Sequence, residues 1–333
     1  MDIRLIGRLR AVIQAAFLLF TLFVGYRFFL FYQWALGLRP EAVARPGAVE
    51  GFLPISALLG VKQLLVTGRY DLVHPAGLTI LLAAMLIALV CRKGFCGWIC
   101  PVGGFSNLAT GHRFTLRLPV WLDIPLLGCK YLLLFFFVWA IMFKMDAAAT
   151  ASFIGSPYNI AADAKMLQFF LHPSQLSLIV LAVLVGLSLV VRNFWCRYLC
   201  PYGALLGLFA LASPLQIRRD PELCIDCKKC EKRCPALIRV TARQTVRNAE
   251  CVGCLECVSV CPKKDCLTVR AAGSRRVPPL LLPLLALLLF FLAWSAARLS
   301  GHWQSQVPND VFAKVYRMSG ELGHPPVEGM SGR

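Results

Sequence analysis

The chain has 333 residues, 58% of them hydrophobic and only 16% charged, with a formal net charge of +18. Such apolarity excludes an ordinary soluble domain, and long apolar runs indicate a membrane protein. No nucleic-acid motif is recognisable, so the positive charge reads as the bias of basic residues toward the inner ends of membrane spans.

Arg4, Arg8 and Arg10 precede an apolar run at residues 11–31, long enough to cross about 30 Å of hydrocarbon. These arginines predict a cytosolic N-terminus. The run lacks a small-residue cleavage site and is expected to stay as an anchor, with Arg27 snorkelling at its far end. An outside segment follows at 32–72. Within it, Phe52 to Val66 is short and interrupted by Gly60 and Lys62, which predicts an interfacial helix and not a span. Further spans are predicted at 73–90, 124–143, 176–191 and 278–297, with a second outside segment at 144–175. Each must be helical, because a segment in hydrocarbon has to satisfy its own backbone.

Eight cysteines between 224 and 261 fall into two Cys-x2-Cys-x2-Cys-x3-Cys-Pro runs, the spacing of a protein with two iron–sulfur clusters. The expected fold class is therefore an all-α integral membrane protein of about five transmembrane helices with a small α+β two-cluster ferredoxin-like domain. The predicted division is a membrane domain at 1–214, a cytosolic ferredoxin-like domain at 215–270, a fifth transmembrane helix at 271–299 and a periplasmic tail at 300–333.

The ferredoxin assignment rests on spacing. Cys224, Cys227, Cys230 and Cys234-Pro235 form one run, and Cys251, Cys254, Cys257 and Cys261-Pro262 repeat it. Three thiolates two residues apart reach three corners of one iron–sulfur cube, and the fourth of each run ligates the other cube. Cys224, Cys227, Cys230 and Cys261 are thus assigned to one [4Fe–4S] cluster, and Cys251, Cys254, Cys257 and Cys234 to a second. Zinc sites usually pair two CxxC units instead, and disulfides do not persist in the cytosol.

An internal repeat aligns residues 89–103 with 189–203 without a gap, as in proteins built from duplicated membrane units. It places Cys96 on Cys196 and Cys100-Pro101 on Cys200-Pro201. The outer ends also match, His74-Pro75 with His172-Pro173. A two-fold axis along the membrane normal would bring the two cysteine loops together, and the two histidines together. Cys96, Cys100, Cys196 and Cys200 are then candidates for a further metal or iron–sulfur centre, or for redox thiols; the alternative is small buried residues shaping a turn. His74 and His172 read as interfacial residues before helix-starting prolines, with a haem, metal or quinol site as the alternative. Cys129 and Lys130 read as packing and snorkelling residues. The outer tail, with His302 and His324, reads as a docking or disordered segment. Lys228, Lys229, Lys232, Arg233, Lys263 and Lys264 suit anionic lipid headgroups, or an acidic electron-transfer partner.

The two Cys-x3-Cys-Pro loops at helix ends, followed by the double-cluster segment, resemble the NapH/NosR-type membrane polyferredoxins over residues 70–265. The resemblance implies a bacterial inner-membrane protein. It would pass electrons between its clusters, the quinone pool and a periplasmic redox partner. A maturation factor supplying electrons for metal or thiol reduction is the alternative, and an iron–sulfur sensor would lack an output domain. The chain departs from the NosR pattern in its short segment before the first span, so no periplasmic flavin domain is expected. It departs from the NapH pattern in its outward C-terminal span and tail.

Overall fold

The computed structural model describes residues 5–110, 116–271 and 275–323; Arg4 and His324 lie outside them. The protein is mostly helical, with one small sheet. Three helices are long and apolar enough to cross a membrane: Leu5–Ala35, Val120–Lys144 and Leu281–Leu299. Pro75–Cys91 and Gln175–Val190 occupy the two other predicted spans with 17 and 16 residues, at or just below the usual lower limit of about 17. Gln175–Val190 follows Ala162–Leu171 after a bend of 82°. His172 ends the earlier helix with non-helical φ and ψ of −130° and 62°, because the residue before a proline is pushed out of the helical region.

The chain divides into two compact units, and most of the long helices contribute to both. One unit comprises Met1–Leu19, Ala84–Leu134 and Ala182–Phe290. It contains a four-stranded antiparallel sheet: β1 Gln216–Arg219, β2 Thr245–Val246, β3 Leu267–Arg270 and β4 Arg276–Val277, in the order β2-β1-β3-β4. Ile217 is opposite Val246 on one side and Val269 on the other, and all three are buried. Alternate residues along a strand face one side, so these short strands need only one apolar residue each to anchor the cysteine-bearing loops between them.

The second unit comprises Phe20–Ala83, Phe135–Leu181 and Phe291–Arg333. Its core is aromatic: Phe28, Phe31, Tyr32, Phe312 and Tyr316 pack with ring centroids 5.7–6.4 Å apart. Phe312 and Tyr316 belong to the helix Asn309–Arg317. This corrects the reading of the tail as a docking or disordered segment: residues four apart on that helix share one face, and that face is core. His302 packs against Tyr70 with centroids 4.6 Å apart and the rings tilted by 54°.

The segment predicted as an interfacial helix forms Pro54–Thr67, uninterrupted at Gly60 and Lys62. Lys62 is buried, and its Nζ donates to the carbonyls of Ile141 at 2.7 Å, Met142 and Met145. These carbonyls lie in and just after the π-helical turn Trp139–Lys144. A cation there satisfies the acceptors that a helix C-terminus leaves open.

Candidate iron–sulfur site

The eight ferredoxin cysteines surround two cavities. Cys224, Cys227, Cys230 and Cys261 line one, and Cys234, Cys251, Cys254 and Cys257 line the other. Each cavity therefore takes three thiols from one run and the proline-flanked fourth from the other. All fifteen cysteines are free of disulfides.

The loops close on these cavities for a local reason. Asp226 and Lys228 flank Cys227 with φ of 48° and 55°, and Gly253 and Leu255 flank Cys254 with φ of 59° and 62°. Left-handed residues on both sides of a cysteine curl the backbone so that successive N–H groups point inward, a concavity suited to negative charge. Backbone N–H groups accordingly donate to sulfur: Asp226 to Cys224, Glu231 to Cys230, Ala236 and Ile238 to Cys234, and Glu256 to Cys254.

The residues fit an anionic cluster in two further ways. Arg10 and Arg192 lie close enough to Cys254 and Cys234 to act on them electrostatically. Both are buried, yet Arg10 Nη2 and Arg192 Nε have no partner among the described residues. Orphaned guanidinium nitrogens beside thiols call for negative charge in the cavity. Nor are any three His, Cys, Asp or Glu side chains among the described residues gathered as a single metal ion would gather them. The corners of an iron–sulfur cube hold thiolates further apart.

Cys266 escapes the sequence motif. It is buried, lines the first cavity, hydrogen-bonds with Cys224 and Cys261, and sits 3.7 Å from the carbonyl of Asp220. Its place one residue before β3 brings it there, a tertiary effect that spacing along the chain does not reveal.

The repeat is also structural. Residues 95–99 and 195–199 each form one π-helical turn, and each runs into a helix that starts with proline, Pro101–Thr110 and Pro201–Leu211. Cys100 and Cys200 precede these prolines in non-helical conformation. Cys200 Sγ accepts from the N–H of Gly203 at 3.3 Å, and Cys100 accepts from Gly103 and Val102. Sulfur at a helix N-terminus gains from the open N–H groups and the dipole. Cys96, Cys100, Cys196 and Cys200 are half-buried and close enough to perturb one another. Burial pushes the Cys100 thiol up to about 11, with Cys200 adding to the rise against the two N–H donors.

Both turns dock on the loops of the second cavity. In the first, Lys93 N–H donates to Cys251 O at 3.4 Å and Trp98 Nε1 to Gly253 O at 3.1 Å. A Cβ on Gly97 would lie 2.3 Å from Val252 O. In the second, Arg192 donates to Arg233 O at 3.2 Å, Asn193 to Pro235 O at 3.3 Å, and Arg197 to Ala236 O. Arg197 is also held by Asp123 at 2.8 Å.

Several cations expected to mark membrane topology are structural instead. Arg10 is buried, bonds Gly97 O at 3.0 Å and pairs with Glu256 at 3.2 Å. Lys130, expected to snorkel, is fully buried and pairs at 2.6 Å with Glu250, which Lys93 and Tyr131 also bind. Glu250 immediately precedes Cys251. Cys129 Sγ lies 3.7 Å from Pro125 O on its own helix.

The two matched histidines have unlike surroundings. His74 is fully buried, with Nε2 2.8 Å from Asn159 O and Nδ1 3.5 Å from both Glu50 and Arg45. Arg45 also pairs with Asp163 at 2.6 Å, and Tyr316 donates to Asp163 at 2.7 Å. His172 is exposed. The repeat therefore holds at the cysteine turns and diverges at the histidines.

Comparison with known proteins agrees with this division. A family model described as a 4Fe-4S binding domain matches twice, over residues 73–119 and 174–219, and a 4Fe-4S dicluster domain matches 216–262. Each half of the double match contains one Cys-x3-Cys-Pro turn. The chain is 45% identical over 293 residues to the "Putative electron transport protein YccM" of Escherichia coli (strain K12), covering 85% of this chain and 82% of that one. It is 30% identical to the protein NirI of Paracoccus denitrificans, over 69% of this chain and 34% of the relative. It is 25% identical to the ferredoxin-type protein NapH of Escherichia coli (strain K12), over 67% and 77%. No solved structure matches.

Proposed function

Because the chain belongs to the NapH/NosR-type membrane polyferredoxins, we propose that this iron–sulfur electron-transfer protein relays electrons through three sites in series. The first is Cys224, Cys227, Cys230 and Cys261; the second is Cys234, Cys251, Cys254 and Cys257; the third is Cys96, Cys100, Cys196 and Cys200. The first two sets would hold one [4Fe–4S] cluster each, which when bound supply one-electron chemistry. The inward N–H groups favour the negative charge that a reduced cluster gains. Arg10 and Arg192 offset that charge at the second site, where burial would otherwise disfavour it.

The observation that carries the reading is the docking of both Cys-x3-Cys-Pro turns on the loops of the second cavity. It supports a contact order of first site, second site, membrane turns. On this reading the N-terminus and the ferredoxin segment are cytosolic and the tail periplasmic. The four turn cysteines hold a further iron–sulfur centre at the start of the path to a quinone or a periplasmic partner.

Iron, acid-labile sulfide and EPR on anaerobically purified protein test this, beside a variant with Cys96, Cys100, Cys196 and Cys200 changed to serine. The variant should keep about eight irons, as two [4Fe–4S] clusters require, and the parent should hold more. An equal iron content in both would remove the third centre from the relay.

A further inference from the structure

The two ferredoxin cavities differ in what they face. Cys234, Cys251 and Cys254 are buried beneath the membrane turns, whereas Cys227 of the first cavity is exposed. Ile225, two residues away, is 57% exposed. Lys228 and Lys229 directly follow Cys227, Lys263 and Lys264 follow Cys261-Pro262, and all four are exposed. None of the four joins an ion pair among the described residues. Of the neighbouring acids, Asp265 is tied to Arg276 at 3.4 Å, which leaves Asp226 and Glu222 against the lysines.

We propose that this face docks an acidic, soluble one-electron carrier that exchanges electrons with the site at Cys224, Cys227, Cys230 and Cys261. The inference rests on the cluster assignment above. An apolar centre inside a charged rim is the anatomy of a protein interface, and unpaired lysines on that rim steer an acidic protein toward it. Lipid headgroups would also suit the lysines, but they make no use of an exposed thiol ligand beside an exposed isoleucine. The loops of the second cavity are already covered by the turns, so the first is the end of the relay left for an outside partner. In the exchange one electron leaves the reduced carrier and arrives at the first site; no bond forms and no proton moves.

The test uses the full protein in nanodiscs of zwitterionic lipid, with reduced flavodoxin as the acidic carrier and methyl viologen radical as a small cationic reductant. Stopped-flow absorbance follows reduction in the parent and in a Lys228→Glu/Lys263→Glu variant. The flavodoxin rate should fall about 10-fold or more in the variant, and in the parent as salt rises. The viologen rate should be the same or higher in the variant. A flavodoxin rate indifferent to both charge reversal and salt overturns the docking. So does a parental rate that follows the phosphatidylglycerol content of the disc, because the lysines would then face headgroups. Reduction of the parent by viologen but not by flavodoxin overturns the docking alone. Failure of viologen to reduce either chain overturns the cluster assignment beneath it.

Discussion

A guanidinium held away from water needs negative charge within reach, and Arg192 is short of it. Its Nη1 donates to Arg233 O at 3.2 Å, while Nε has no partner among the described residues. Among its neighbours Cys254 and Cys234 act on it most, ahead of the like charge of Arg10 and the carboxylate of Glu256, which Arg10 already pairs with at 3.2 Å. A thiolate-bound cluster there would supply the missing charge, and the arginine would in turn favour the cluster's reduced form. Arg192→Gln should therefore lower the midpoint potential of the second cluster, whereas Arg192→Lys should leave it nearly in place. A buried unit charge across such a distance is worth about 1–2 kcal/mol, or ~40–90 mV for a one-electron couple. An EPR-monitored redox titration reads this directly. An unchanged midpoint in the glutamine variant, with iron retained, would reduce Arg192 to a packing role. At this scale the sequence was legible where residues touch through local spacing, as in the two cysteine triplets. It was silent on Arg10, Lys130 and Cys266, whose partners lie 246, 120 and 42 positions away at Glu256, Glu250 and Cys224.

Among the elements, the two π-helical turns are a duplicated device used in two different ways. The repeat was visible in the alignment of residues 89–103 with 189–203, and both turns have the same backbone. The partners are not repeated: the first turn meets Cys251–Gly253 by close backbone approach and the Trp98 indole, while the second uses the side chains of Arg192, Asn193 and Arg197. Gly97 and Arg197 occupy equivalent positions for this reason, one removing a side chain and the other extending one. Gly97→Ala should consequently be costly. Its Cβ would stand 2.3 Å from Val252 O, so the turn or the cluster loop must move. Gly203→Ala, whose nearest neighbour is 3.6 Å away, should be tolerated. Overpacking of this kind typically costs 1–3 kcal/mol, and thermal unfolding of the two variants should differ accordingly. Equal stability and equal iron content would show that the first turn is free to part from the cluster loop.

For the whole molecule, net charge and topology have to be separated before either can be used. The +18 balance first reads as a topology signal, yet Arg10, Arg92, Lys93, Lys130, Arg192 and Arg197 are buried. Arg92 alone donates to Ala210 O at 2.9 Å and Asn248 O at 2.6 Å. Such residues hold loops together and say little about which side faces the cytosol. The count of spans is therefore the sharper constraint. Leu5–Ala35, Val120–Lys144 and Leu281–Leu299 each suffice alone. If Pro75–Cys91 and Gln175–Val190 both cross as well, five spans put the two termini on opposite sides; if only one of them crosses, four put both on the same side. Arg8, exposed at the start of the first helix, retains the ordinary positive-inside meaning and predicts a cytosolic N-terminus. Five spans then place the C-terminus outside. Alkaline phosphatase fused after the last residue should be active and a fluorescent protein fused there dark, with the reverse for fusions at residue 214, beside the ferredoxin segment. An inactive phosphatase at the C-terminus, with an active one at residue 214, would mean that one of the two short helices does not cross, because Leu281–Leu299 separates the two fusion points in either case.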